Sequence, residues 1–299
     1  VNLARGDYYT QYQAEVNQKA NEKLGVSLED LKPFSPSYYD DEPALIGGRV
    51  IANSLNEPLT IKKVACYAKA KEGQQDVTIT GTMQPIITEA EPLTVYTKTQ
   101  EFVTCIIPDE QSKQYWKPGT QKVTFEVEFD FSTQSYLVSY YLEKERYQSY
   151  FKEGIDPFEQ LGIINKNPIA IYTHGPLKIG IGLRGAMIPF DTTKENELPL
   201  IINIDNSWKG SVVKVKQLFL ILPKNMQLKH DTEGQTACLG YAFESSSCGA
   251  LQTAFTQTNQ WCSDTAFTIY SLNVQSTQGK TLAELEREKT ISQGQTIAC

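Results

Sequence analysis

Residues 198–228 read LPLIINIDNSWKGSVVKVKQLFLILPKNMQL, a stretch whose alternation points to a β fold. Leu200, Ile202 and Ile204 alternate with Ile201, Asn203 and Asp205, the two-residue period of a strand with one face in a core. Asn206-Ser207-Trp208-Lys209-Gly210 supplies turn residues, and a longer apolar-rich run follows. The two runs are expected to pair as strands of a β-sandwich, whose inner faces a second sheet must cover. Within the second run Val213 and Val215 share one phase, whereas Leu218, Leu220 and Leu222 share the other. A phase switch near Lys216-Gln217 predicts a β-bulge that bends the strand or lets it pass between sheets. The alternative is a strand buried on both faces beyond Gln217.

Working outward, the second domain is expected over residues 169–278. It opens with apolar runs at 169–172 and 177–183, and it continues past the central stretch with strands at 236–243, 251–256 and 266–272. Thr281 and Glu284 form a capping box that starts a helical tail over 279–299. Upstream, residues 143–168 read as a helical linker after an ambiguous run at 136–142. Asp156-Pro157-Phe158-Glu159 combines a cap, a proline at the first helical position and an acid three residues after the cap. Gly162 is placed to close that helix.

The first domain is expected over residues 35–142, and its pattern is β from residue 44 to about residue 131. Val64, Cys66 and Ala68 share one face of a run at 61–70, and Val103, Cys105 and Ile107 share one face of another at 102–107. Short strands are expected at 49–52, 77–80 and 93–96. The clearest strand is 123–131, with Val123, Phe125, Val127, Phe129 and Phe131 inward and Thr124, Glu126, Glu128 and Asp130 outward. Trp116-Lys117-Pro118-Gly119 makes the turn that delivers it. Residues 1–34 are expected to be an N-terminal helix or stalk. Tyr8, Tyr12, Val16, Ala20 and Leu24 recur every fourth residue, Gly25 fits the helix end, and Ser27 with Asp30 resembles a capping box for one short turn. Asp40-Asp41-Glu42 lacks the alternate spacing and glycine of a calcium loop and reads as a solvated turn.

Composition bounds the function. The 299 residues are 40% hydrophobic and 21% charged, as in globular domains. Sixteen Tyr and 12 Phe stand against 3 Met and 2 His, a balance that favours pleated surfaces and disfavours chemistry built on histidine. The net charge is −7, and no Lys/Arg run exceeds Lys62-Lys63. No basic stripe is present for nucleic acid or for an anionic membrane surface. No apolar run reaches the length of a membrane span. The membrane is expected to be met only through an anchor upstream of Val1.

Six cysteines without a CxxC pair argue against zinc and thioredoxin-like chemistry and for disulfides in an oxidising compartment. Cys66 and Cys105 each lie on the apolar face of a strand, where an inter-sheet disulfide of an immunoglobulin-like sandwich would need them. Their bridge would contribute roughly 4 kcal/mol by the chain-entropy relation. Cys238, Cys248, Cys262 and Cys299 are further disulfide candidates whose pairing the sequence leaves open.

Asn206-x3-Gly210-x-Val212-x2-Val215-x2-Leu218-x-Leu220-x-Leu222-Pro223 is similar to the repeated β-sandwich modules of prokaryotic cell-surface proteins, among them CARDB-type adhesion modules and archaeal S-layer-associated domains. Pro118-Gly119-Thr120-x2-Val123-x-Phe125 resembles the strand start of the same class. Two-domain archaeal surface proteins anchored by an N-terminal helix share this look. The resemblance implies adhesion, surface coating or scaffolding, and it transfers no catalytic residue. The chain departs from such modules in having Ser211-Val212 after the turn glycine.

The sequence carries no complete catalytic signature. Residues 244–249, ESSSCG, lack the glycines of a nucleophile elbow and read as a serine-rich hairpin tip closed by a disulfide. A catalytic thiol at Cys248 would need His174 or His230. Glu126 and Glu128 could form a glycosidase pair only if their face were enclosed, and it reads as exposed. No cofactor, metal or catalytic residue is assigned. The expected protein is therefore mainly β, with two immunoglobulin-like sandwiches in tandem. It is a non-enzymatic extracellular or cell-envelope protein with a protein or surface-glycan partner, or with a second copy of itself. The competing readings are a self-assembling filament, coat or capsid subunit and a secreted hydrolase.

Overall fold

The computed structural model of the chain describes residues 24–39, 41–54, 58–72, 75–173, 175–183, 185–206, 208–213, 215–229, 237–238, 241–255, 267–272 and 296–298. The fold is mainly β, built from several antiparallel sheets. It divides into two compact units, one spanning Lys23–Ser132 and the other lying within Thr133–Cys299.

In the first unit, one four-stranded sheet runs in the order β1 (Gly25–Pro33), β2 (Ala44–Asn53), β7 (Thr99–Ile107), β5 (Thr82–Gln84). The other is centred on β3 (Leu59–Glu72). On one side β3 pairs with β4 (Gln75–Thr80) and β6 (Leu93–Val95), and on the other with β8 (Val123–Asp130). Alternate residues of both sheets meet in one core: Ala44, Ile46, Val50, Ala52, Val103, Cys105 and Ile107 from the first, and Leu59, Ile61, Val64, Cys66, Ala68, Ile79 and Val95 from the second. In β3 the inward phase changes between Ile61 and Val64, and the pairing with β8 shifts register between Ile61 and Lys63. That bulge absorbs the extra residue and keeps both halves of the strand facing the core. Val123, Phe125, Val127 and Phe129 pack against the same core, as their alternation predicts.

Two features of this unit depart from the sequence reading. Residues 25–33, read in part as a short helical turn, form strand β1, because pairing with β2 satisfies the backbone along its length. The capping-box acid Asp30 instead sits at a bulge with φ of 52°, where its carboxylate pairs with Arg49. Between β7 and β8 lies a helix within a stretch whose pattern is otherwise β, α1 (Asp109–Tyr115), which starts after Pro108 with Asp109 and Glu110 in its first turn. Helix dipoles favour such acids at that end.

Among the described residues the second unit holds sheets of two to four strands. β9 (Ser135–Tyr136) pairs with β11 (Ile171–Tyr172), and β10 (Tyr140–Glu143) runs parallel to β13 (Met187–Phe190). β14 (Leu200–Asn206) lies between β12 (Leu177–Leu183) and β19 (Thr296–Ala298). A further sheet has the order β15 (Phe219–Pro223), β18 (Phe267–Leu272), β17 (Tyr241–Ser246), β16 (Ala237–Cys238). Two helices follow β10: α2 (Lys144–Glu153), closed by Gly154 at φ 69°, and α3 (Pro157–Gln160), capped by Asp156 as its sequence predicts.

The central stretch departs from its expected pairing. Its two runs do not pair: β14 belongs to the sheet of β12 and β19, and β15 belongs to that of β18. Ile202 and Ile204 are buried on one face, as alternation requires, and the expected turn forms. Trp208 N–H donates to Asn206 Oδ1 at 3.1 Å, and Asn206 Nδ2 donates to the Gly210 carbonyl at 2.9 Å. After the turn the chain passes to another sheet, and β15 starts only at Phe219, so the phase switch marks a crossing without a continuous bulged strand. Residues 251–256, expected as a strand, fall mostly in helix α4 (Cys248–Ala254), which buries Leu251. The helical tail and the N-terminal helix of residues 3–24 lie outside the described residues, apart from Leu24, which precedes β1, and residues 296–298, which form β19.

Candidate functional site

The feature that organises the first unit is the Cys66–Cys105 disulfide, which joins β3 to β7 and therefore one sheet to the other. Both residues are fully buried. The pairing is the one that strand phase predicts. Gly81, between β4 and β5, packs against it: its N–H donates to the Cys66 carbonyl at 2.9 Å. A Cβ at residue 81 would stand 2.5 Å from Cys66 Sγ and 2.7 Å from Cys105 Sγ. Residue 81 is therefore restricted to glycine by the bridge itself, a constraint that no local pattern in the sequence announces.

Among the other cysteines, Cys248 occupies the first turn of α4, whose cap is Ser247: Ala250 N–H donates to Ser247 Oγ at 3.2 Å. The serine-rich segment is thus a strand end and helix cap rather than a hairpin tip. Cys238 lies in β16, and Cys262 and Cys299 fall outside the described residues, as do His174 and His230.

The outer face of the second sheet carries the chain's ordered charge pattern. Glu126 and Glu128 project from β8 and are exposed, opposite Ala65 and Lys63 of β3. Lys62 Nζ lies 3.3 Å from Asp130. Partial burial works to lower the Lys62 pKa, but the charge and hydrogen bond of Asp130, with Glu128 and Glu89 behind it, outweigh burial and raise it. The face offers anionic side chains on a strand edge and no enclosed pair of carboxylates. Among the described residues, no three His, Cys, Asp or Glu side chains gather as metal ligands would, and no helix is long and apolar enough to cross a membrane.

The second unit exposes an apolar surface around α2 and α3. Phe151, Ile164 and Ile169 are 80%, 97% and 77% exposed. Tyr147, Gln148, Phe151 and Lys152 line a shallow depression there. The segment is held by Lys166, whose Nζ reaches Asp156 Oδ2 at 2.6 Å and Glu159 Oε1 at 2.7 Å. The Lys166 hydrogen bond lowers the Asp156 pKa, helped by the Phe158 N–H, and Asp156 and Glu159 raise that of Lys166.

In comparisons with known proteins, no family model matches the chain and no curated protein is similar to it.

Proposed function

We propose that this chain is a non-enzymatic extracellular or cell-envelope protein, with two immunoglobulin-like sandwiches, that works through its surfaces in adhesion, surface assembly or scaffolding. The observation that carries the reading is the buried Cys66–Cys105 bridge across the two sheets of the first unit. Disulfides of this structural kind belong to oxidising compartments. The likeness of the Asn206–Pro223 segment to prokaryotic surface modules, including archaeal ones, adds the setting, and its Asn206 turn is formed. Partners of the sandwich class are proteins, surface glycans or further copies, met at end loops or at strand edges.

The test is labelling of intact source cells with a membrane-impermeant amine reagent. Modification of exposed lysines such as Lys63 and Lys69 before lysis supports the reading. Modification only after lysis overturns it.

A self-assembling subunit of a filament or coat is the second reading. The long outer edge of β8 favours it, because a strand edge presents unpaired backbone donors and acceptors to another chain.

A further inference from the structure

Helix α2 buries none of its residues. It leans on β10 and β13, with Tyr147 and Tyr150 half-buried, and the rest of its surface is open to solvent. On the open side Glu145, Gln148 and Lys152 stand at i, i+3 and i+7, which draws them into one stripe along the helix. Phe151, 80% exposed, borders that stripe on the side of Tyr147, four residues before it.

The end charges of the stripe have no partner on their own chain. Glu145 and Lys152 are exposed, and neither forms an ion pair among the described residues. Seven positions of helix hold them about 10.5 Å apart along the axis, too far to pair with each other. Their places in the first and last turns favour the helix dipole. The same order, acid then amide then base, is complementary to itself when reversed. A parallel second α2 would set Glu145 against Glu145 and Lys152 against Lys152, and like charges would repel. An antiparallel one sets each charge against its opposite.

We propose that α2 pairs with α2 of a second copy of this chain, antiparallel, about a two-fold axis beside Gln148. Glu145 then meets Lys152 of the second copy on one edge of the contact, and the symmetry repeats the pair. On the other edge Phe151 meets Tyr147 of the second copy, in the shallow depression that Tyr147, Gln148, Phe151 and Lys152 line. The two Gln148 amides face each other between the edges. A ten-residue helix is only about 15 Å long, so the contact belongs with the small, transient interfaces. This pairing deepens the surface-assembly reading and rests on it.

The test is sedimentation equilibrium of the full chain at concentrations up to about 1 mM, the weak end of specific association, at low and high salt. A monomer–dimer equilibrium that weakens with salt is expected. E145K and K152E each set like charges across both contacts and weaken the dimer at least about tenfold. The double variant E145K/K152E restores it, as does an equimolar mixture of the two single variants. F151A weakens the dimer at both salt concentrations. Thermal melts establish that each variant folds, and either single reversal serves if the other does not. A wild-type chain that stays monomeric throughout leaves the face to some other protein and overturns the proposal. Single reversals that associate as wild type does, or a double variant that fails to recover, overturn it as well. None of those results alters the outcome of intact-cell labelling, so the two failures are distinguishable.

Discussion

The backbone N–H of Gly81 donates to the Cys66 carbonyl across 2.9 Å, and this contact lays residue 81 against the bridge that joins the two sheets. A methyl group there would meet both sulfur atoms and Ile107 Cδ1, all within 2.8 Å. Gly81→Ala is expected to destabilise the first unit by about 1–3 kcal/mol, the usual range for overpacking a filled core. In a Cys66→Ala/Cys105→Ala background the same change costs less, because the obstructing sulfurs are gone. Urea unfolding of the four proteins measures the coupling, and additive costs would exclude the direct clash.

Removing the bridge has its own cost. Cys66 and Cys105 are separated by 39 positions, and closing a loop of that length restricts the unfolded chain by about 4 kcal/mol in the chain-entropy relation. Cys66→Ala/Cys105→Ala should lower the guanidinium midpoint by a matching amount. The contribution falls on the unfolded state, so the folded spectrum of the variant stays that of the parent.

Asp30 tests the bulge in β1. Its φ of 52° lies in the left-handed region, which Asn and Gly tolerate and β-branched residues resist. Asp30→Asn is expected to be mild, losing the Arg49 pairing, whereas Asp30→Val costs about 1–2 kcal/mol in addition. Thermal melts that rank Val with Asn would contradict the assigned backbone.

The Asp156–Lys166 contact makes a pH prediction. The Lys166 hydrogen bond and the Phe158 N–H hold the Asp156 carboxyl below the ordinary aspartate range. A carboxylate lowered on folding favours the folded segment fully above its unfolded value, and that contribution is lost as pH falls through the folded one. The α3 segment should therefore loosen only on the acid side of the ordinary aspartate range, and Lys166→Met should move the transition upward. Carboxyl titration by NMR reads both, and an unchanged Asp156 curve in the variant would remove Lys166 as the cause.

Much of the first unit was legible because its strands have one buried face. The phases of Val64, Cys66 and Ala68 and of Val103, Cys105 and Ile107 placed both cysteines inward, and the structure joins them. The same logic identified the strand at 123–131, which the structure forms as β8 (Val123–Asp130). What alternation lacks is the partner. Residues 200–206 and 219–223 looked like neighbours across a turn, yet each pairs with a strand distant in sequence. Short apolar runs also leave helix and strand unresolved. Leu251 fits both, and the structure places it in α4, behind a Ser247 cap that the serine-rich hairpin reading overlooked. At Ser27 and Asp30 a local capping signal lost to the β1–β2 ladder. The constraint at Gly81 comes from sulfurs remote in sequence, so no window around it could show it.

The most direct measurement is peptide mapping of the protein purified without reductant, with free thiols blocked at lysis. A cross-linked peptide pair containing Cys66 and Cys105 that separates on reduction is the expected result. Recovery of both residues as blocked free thiols would contradict the inter-sheet bridge and, with it, the oxidising setting proposed for the chain.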